Sequence, residues 1–192
     1  MLRIISGGQT GADQGGLLAA RALRLPSGGT APTGWITETG SEELLLKGFG
    51  LIECPEPGYD ARTRQNVLDA DGTLLLGSYA GGGSALTVQI ATDAVKPFFH
   101  VPFPTSIDAE GIDKVSAEFR TWLTNHKIRI LNVAGNRESQ NPGLQEFTRT
   151  FLISALRSFS GTRNYASVTP TFWQLESSAG ISSLCPLCLC GQ

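Results

Sequence analysis

The sequence predicts an α/β fold, a mostly parallel sheet with helices on both faces, and three observations carry that prediction. Short apolar runs of strand length alternate along the chain with stretches of helical period, the pattern of strands joined by crossover helices. Several of the handovers from strand to helix are rich in glycine. The composition also suits one packed domain: 192 residues, of which 41% are hydrophobic and 17% charged, the latter below the roughly 25% of an average soluble protein.

Taken in order, residues 2–6 (LRIIS) form an apolar, β-branched strand, followed at once by GGQTGADQGG and a helix whose Leu17, Leu18, Ala20 and Leu23 share a face. Residues 27–39 (SGGTAPTGWITET) are turn-rich, with a short strand near 29–31 and an exposed loop around Trp35. A second short strand covers 49–54 and is closed by Pro55. The helix formers of DARTRQNVLD (60–69) precede GTLLLG (72–77), which reads as a fully buried strand. A second glycine loop, starting at Gly81, opens a helix with Leu86, Ile90, Ala94 and Val95 at helical spacing, and residues 97–103 make the next strand. Ile112, Val115, Phe119 and Trp122 recur at steps of three and four, an amphipathic helix that ends before Lys127. The strand 128–133 (IRILNV) runs into AGNRESQNPG, where Pro142 suits a first helical turn ahead of the apolar stripe Leu144, Phe147, Phe151 and Ala155. These elements fill residues 1–159, and 160–192, rich in Ser and Thr without a period, reads as a tail outside the core.

Charge and hydropathy exclude several functions. With 15 basic and 17 acidic residues the net charge is −2, so no global field attracts a nucleic-acid backbone or an anionic membrane. No apolar run approaches the ~20 residues of a membrane span, and the N-terminus breaks into glycine after a few apolar residues, too soon for a signal peptide. A soluble, cytoplasmic protein is expected. Cys54 reads as a small buried hydrophobe, and Cys185, Cys188 and Cys190 in CPLCLC supply three thiols where structural zinc takes four ligands, so no metal site is assigned.

In a parallel sheet the three strand-to-helix junctions emerge together at the carboxyl edge, where such folds bind ligands. Helix N-termini there offer unpaired N–H groups and the positive end of the macrodipole to an oxyanion. The first junction offers Gly7, Gly8 and Gly11 for close backbone approach, with Gln9, Thr10 and Asp13 as polar partners. Gly81, Gly82, Gly83 and Ser84, with Thr87 a turn further on, make the second. Asn136, Arg137, Ser139 and Gln140 make the third, with Arg137 as the natural partner of an anion. Arg62 and Arg64 either sit solvated on their helix or extend toward the same anion. Neither GxxxxGK[ST] nor GxGxxG is present, which removes support for ATP hydrolysis and ordinary dinucleotide binding.

The series SGGQTGADQGG from Ser6, TAPTGWITETG from Thr30, YDARTRQNVLDADGTLLL from Tyr59, GGGSALTVQIA from Gly81, KPFFHV from Lys96 and LNVAGNRESQNPG from Leu131 resembles the molybdenum carrier family. That family is similar to the wider Rossmann-like group of nucleotide-ligand proteins that includes the lysine-decarboxylase-like phosphoribohydrolases. The resemblance covers about residues 1–158. It implies a homo-oligomer, dimer or tetramer, that binds molybdenum cofactor (Mo-molybdopterin), protects it and hands it to molybdoenzymes such as nitrate reductase, a carrier rather than an enzyme. Carried over position by position, the family's ligand loops fall on Gly7 to Asp13, on Arg62, Thr63 and Asn66, on Gly82 to Thr87, and on Asn136 to Gln140. The chain departs from the family in having Asn136 where a proline is usual and Ser84 where a threonine is usual. Two alternatives use the same site, a sensor of a nucleotide-derived ligand and a nucleoside monophosphate phosphoribohydrolase. The hydrolases' PGGxGTxxE places its glutamate on Thr87, which cannot act as a carboxylate base. Asp13, Asp69 and Asp71 remain as carboxylates, with helix capping the commoner role for one placed like Asp13.

Overall fold

A computed structural model of the protein describes residues 1–103 and 109–157. The segment from 160 onward, with Cys185, Cys188 and Cys190, lies outside the described residues. Six strands, β1 (Arg3–Ser6), β2 (Ser27–Ala31), β5 (Leu51–Glu53), β6 (Gly72–Leu76), β7 (Phe98–Val101) and β8 (Ile130–Gly135), form one sheet in the order β5-β2-β1-β8-β6-β7. Every pairing in it is parallel. The predicted α/β class therefore stands. Between β2 and β5 the chain also makes a small antiparallel hairpin, β3 (Ile36–Thr37) with β4 (Gly40–Ser41), and a short helix, α2 (Glu43–Gly48).

Strand chemistry explains the layering. β6 is buried along its whole length, as a central parallel strand must be when helices cover both faces. Side chains alternate across the sheet. Ile4, Leu74, Leu76, Leu131 and Val133 meet α1 (Ala12–Ala22), α5 (Ala109–Asn125) and α6 (Leu144–Leu156) in one large core. Within it Phe119 of α5 packs on Phe151 of α6 with ring centroids 5.6 Å apart. α3 (Tyr59–Asp69) packs with α4 (Gly82–Asp93) through Val67, Ile90 and Ala91. Gly15 and Gly16 in α1 let that helix sit unusually close to its neighbours, since a Cβ would fall 2.5 Å from the Gln145 carbonyl oxygen at Gly15 and 2.8 Å from Val133 Cβ at Gly16. Cys54 is buried with a free thiol, as read from the sequence.

Trp35 corrects an expectation. It does not lie in an exposed loop but is 6% exposed and packs with Leu17, Ala31, Leu46, Phe49 and Leu51. The cause is backbone geometry: in the 3-10 turn Thr33–Trp35, Gly34 (φ 75°) and Trp35 (φ 59°) both take the left-handed region, which turns the indole back into the protein. Lys47 covers the ring, its ammonium 5.3 Å from the centroid. The helix after β8 begins at Leu144, with Pro142 in the preceding turn. Replacing Trp35 with alanine should cost about 3–5 kcal/mol of stability by cavity formation, read as a lower urea midpoint at unchanged slope; a shift below about 1 kcal/mol would show that the indole does not anchor this corner.

Candidate functional site

The carboxyl ends of β1, β6 and β8 open onto one cavity of about 780 Å³. Its floor is Ala134 and Gly135 at the end of β8. One wall is the start of α4, with Gly81, Gly82, Gly83, Ser84 and Thr87; another is the loop after β8, with Asn136, Arg137, Gln140 and Asn141. α3 contributes Tyr59, Asp60, Arg62 and Thr63, and the β1 loop contributes Gln9 with Asp13 of α1. Arg137 lies over the Tyr59 ring at 5.1 Å, joining the third junction to α3.

The three helix starts differ in a way the sequence does not disclose. At α1 the N–H groups are consumed inside the protein. Gly8 N–H donates to Ser6 Oγ (3.3 Å), Gln9 N–H to Asp13 Oδ2 (3.2 Å), Thr10 N–H to Gln9 Oε1 (3.1 Å), Gly11 N–H to Gln145 Oε1 (3.3 Å) and Ala12 N–H to the Asn136 carbonyl (3.2 Å). At α6 the Glu138 carboxylate accepts from Gly143 N–H (2.6 Å) and Gln145 N–H (2.8 Å). α4 alone of these three has an open start. No side chain caps it, no acceptor among the described residues meets the N–H groups of Gly82, Gly83 and Ser84, and a Cβ built at Gly81, Gly82 or Gly83 meets nothing within 4 Å. Free donors and the positive end of a helix dipole are features that favour an oxyanion.

The remaining sequence-derived residues separate into lining and scaffold. The glycines of the first junction face protein: a Cβ at Gly7 would fall on the Arg62 guanidinium, one at Gly8 (φ +78°) would lie 2.8 Å from Leu46 Cδ2, and one at Gly11 would lie 2.5 Å from the Asn136 carbonyl oxygen. Asn66 ties α3 to β2, accepting from Thr30 N–H and donating to the Thr30 carbonyl, both at 2.9 Å. Asn136 buckles two junctions, accepting from Ser78 N–H at 2.6 Å and donating to the Ser78 carbonyl at 3.0 Å and Ser84 Oγ at 3.4 Å. Thr63 and Thr87 return their hydroxyl protons to the carbonyls of Tyr59 and Gly83. Arg62 reaches the cavity while Arg64 is exposed and outside its lining. Asp71 accepts from the N–H groups of Arg129 and Ile130 at 2.8 Å, at the edge of the sheet opposite the cavity.

Arg62 Nη1 lies 3.1 Å from Asp13 Oδ2, with the two side chains 13% and 4% exposed. Burial nevertheless pushes the Asp13 carboxyl above its ordinary range, against the pull of Arg62 and of hydrogen bonds from Gln9 and Gly7. Gln9 Nε2 and Arg62 Nε, both buried in cavity residues, have no acceptor among the described residues.

Sequence reasoning missed Glu38. Its carboxylate accepts from the hydroxyls of Thr10 and Ser139 and from Ser139 N–H at 3.1 Å, so it fastens the hairpin to the first and third junctions. Thr10 and Ser139 thus act outside the cavity. No periodic pattern marks Glu38, which stands in a turn. Among the described residues no group of three His, Cys, Asp or Glu is placed to hold a metal, and no helix is long and apolar enough to cross a membrane.

The open start of α4 thus lies at the carboxyl edge of the parallel sheet of an α/β protein. Over residues 4–156 the chain matches the circularly permutated YpsA SLOG family, and it belongs to that family. A crystal structure from Syntrophus aciditrophicus, named only provisionally as a molybdenum carrier protein, shares 36% identity over 81% of this chain and 94% of its own, with a TM-score of 0.71. A weaker likeness, to (E)-4-hydroxy-3-methyl-but-2-enyl diphosphate reductase, covers 80% of this chain and 59% of that one at 12% identity and a TM-score of 0.30, and carries no argument. No curated protein matches the chain.

Glu38 supplies a pH test. Burial raises its carboxyl pKa, but the hydrogen bonds from Ser139 and Thr10 outweigh it and hold the group below its ordinary value of 4.5. A depressed folded-state pKa contributes stability above the unfolded value that is lost as pH falls through the folded one. The wild type should therefore exceed Glu38→Gln in stability at neutral pH and lose that advantage below the ordinary glutamate range. A pH-independent difference in denaturation midpoints would show that the charge contributes nothing.

Proposed function

We propose that the protein binds molybdenum cofactor, a phosphate-bearing pterin whose dithiolene holds molybdenum, and keeps and hands it on without transforming it. The observation that carries this reading is the uncapped start of α4 inside the cavity, which Arg137 and Gln140 also line; in this reading the N–H groups of Gly82, Gly83 and Ser84 hold the terminal phosphate. The 36% identical neighbour named provisionally as a molybdenum carrier supports the choice of ligand. Among the described residues the cavity lining contains no cysteine or histidine. The reading includes a cytoplasmic homo-oligomer, dimer or tetramer, and an acceptor molybdoenzyme of the nitrate reductase kind.

Family membership favours one competing reading, a sensor of a nucleotide-derived ligand. Phosphoribohydrolase chemistry has less support, because Thr87 stands at the glutamate position and Asp13 is engaged by Arg62. Anoxic incubation with Mo-molybdopterin, followed by assay of pterin and molybdenum in the protein fraction, separates the readings. Co-retention insensitive to AMP and GMP supports the carrier; displacement by a nucleotide supports the sensor; no retention rejects the carrier.

Gly83→Asp tests the phosphate position. A Cβ at Gly83 has open space, and a carboxylate in the first turn stabilises a helix by about 0.3–1 kcal/mol, so the variant should fold at least as well as the wild type. It should lose affinity by roughly 10-fold or more through like-charge repulsion. Full binding by the folded variant would remove the α4 start from the site. Arg137→Ala should weaken retention without lowering the melting temperature, checked by the same assay; an unchanged dissociation constant would release Arg137 from the role.

A further inference from the structure

Arg137 stands at a boundary. It lines the cavity at the carboxyl edge and also a neighbouring groove of about 880 Å³, whose lining includes Glu38, Glu42, Glu138 and Glu146. Among the described residues Arg137 is the one cation in that groove's lining. Its backbone is fixed, since its carbonyl accepts from Gln140 N–H at 3.2 Å and from Asn141 N–H at 3.1 Å, so the choice between the two sides falls to the long side chain. Opposite charges attract over several ångströms, and the Arg137 charge is felt at Glu38. Yet Arg137 forms no ion pair among the described residues.

The contact that holds it is aromatic. The guanidinium carbon lies over the Tyr59 ring, 5.1 Å from its centroid, inside the roughly 6 Å within which a ring face attracts a cation. Tyr59 opens α3, where Thr63 Oγ1 donates to the Tyr59 carbonyl at 2.9 Å. The ring's residue lines the cavity and is absent from the lining of the acidic groove. A guanidinium resting on it therefore stays on the cavity side. A ring also leaves the guanidinium's N–H donors unspent, whereas a carboxylate takes up to two of them and balances the charge.

We infer that Tyr59 is a positioning residue: its ring keeps the Arg137 guanidinium at the cavity and away from the carboxylates of the neighbouring groove, so that its donors are available to an anionic ligand. The inference rests on the reading above in which a phosphate is held at the α4 start and Arg137 contributes to its retention. It does not depend on what that phosphate is attached to.

The test follows the Arg137 side chain and the binding of inorganic phosphate by NMR in the full-length protein. Protons over a ring face are shifted upfield. The Arg137 side-chain signals, assigned by their loss in Arg137→Ala, should therefore lie upfield in the wild type and in Tyr59→Phe, and return to ordinary positions in Tyr59→Leu. Tyr59 is 37% exposed, so both variants should fold, with melting temperatures close to the wild-type value. Phosphate binding, read from the amides of Gly82 and Gly83, should weaken by roughly 2- to 5-fold in Tyr59→Leu and stay near the wild-type value in Tyr59→Phe. In an Arg137→Ala background the Tyr59→Leu change should have no further effect. Unshifted Arg137 signals in the wild type, full affinity in Tyr59→Leu, an equal loss in Tyr59→Phe, or a loss that persists in the Arg137→Ala background overturns the assignment. In a wild type that binds phosphate, each of these rejects the Tyr59 role alone. Phosphate that leaves the Gly82 and Gly83 amides of the wild type unmoved rejects the α4 reading, and the use of Arg137 with it.

Discussion

The pairing of β8 with β1 on one side and β6 on the other is the constraint on which the architecture depends. β1 and β6 do not touch each other; each bonds in parallel to β8, with Ile4 opposite Leu131 and Leu74 opposite Val133. Without β8 the sheet would fall into β5-β2-β1 and β6-β7. The pairing joins Arg3 to Ile130, from opposite ends of the folded chain, so it closes a long loop and is slow to form relative to local contacts. It also supplies the floor and one wall of the cavity, Ala134 to Arg137. The site therefore exists only once the final strand is in place, and fold and site share one cooperative step.

Insertion of β8 also decides which helix start is left open. The loop after β8 presses against the β1 loop, where the Asn136 carbonyl takes Ala12 N–H and Gln145 takes Gly11 N–H. Glu138 then closes α6 and Glu38 fastens both loops to the hairpin. These contacts satisfy the donors of α1 and α6 and leave those of α4 free. A protein of net charge −2 can accordingly hold an anion without a basic surface, because the attraction comes from oriented N–H groups at one point.

Much of this was legible in the sequence, and the gaps have physical causes. GTLLL announced β6 because a parallel strand buried on both faces must be apolar throughout, and the period of Phe119 and Trp122 announced α5. The hairpin of two-residue strands and the six-residue α2 are too short for any period. Trp35 points inward through local φ values that its composition does not encode. Among the residues read as a site, the α4 glycines, Arg137 and Gln140 line the cavity, while Gly7, Gly8 and Gly11 serve close approach of protein to protein. Glycine permits either kind of approach, so the residue type cannot tell a ligand from Leu46 or the Asn136 carbonyl. Glu38 eluded the sequence because its partners Thr10 and Ser139 lie 28 and 101 residues away.

Among the described residues the N–H groups opening α4 are donors without an acceptor at the cavity. An oxyanion at the α4 start would meet those N–H groups, and each donor contributes little while it is hydrated and more once an occupant excludes water. The same set gives a route for release. Hydrogen bonds exchange with water or with the donors of an acceptor protein one at a time, whereas a metal–thiolate bond must break as a unit. A wall of glycine, serine and arginine is thus suited to an anionic group held by hydrogen bonds.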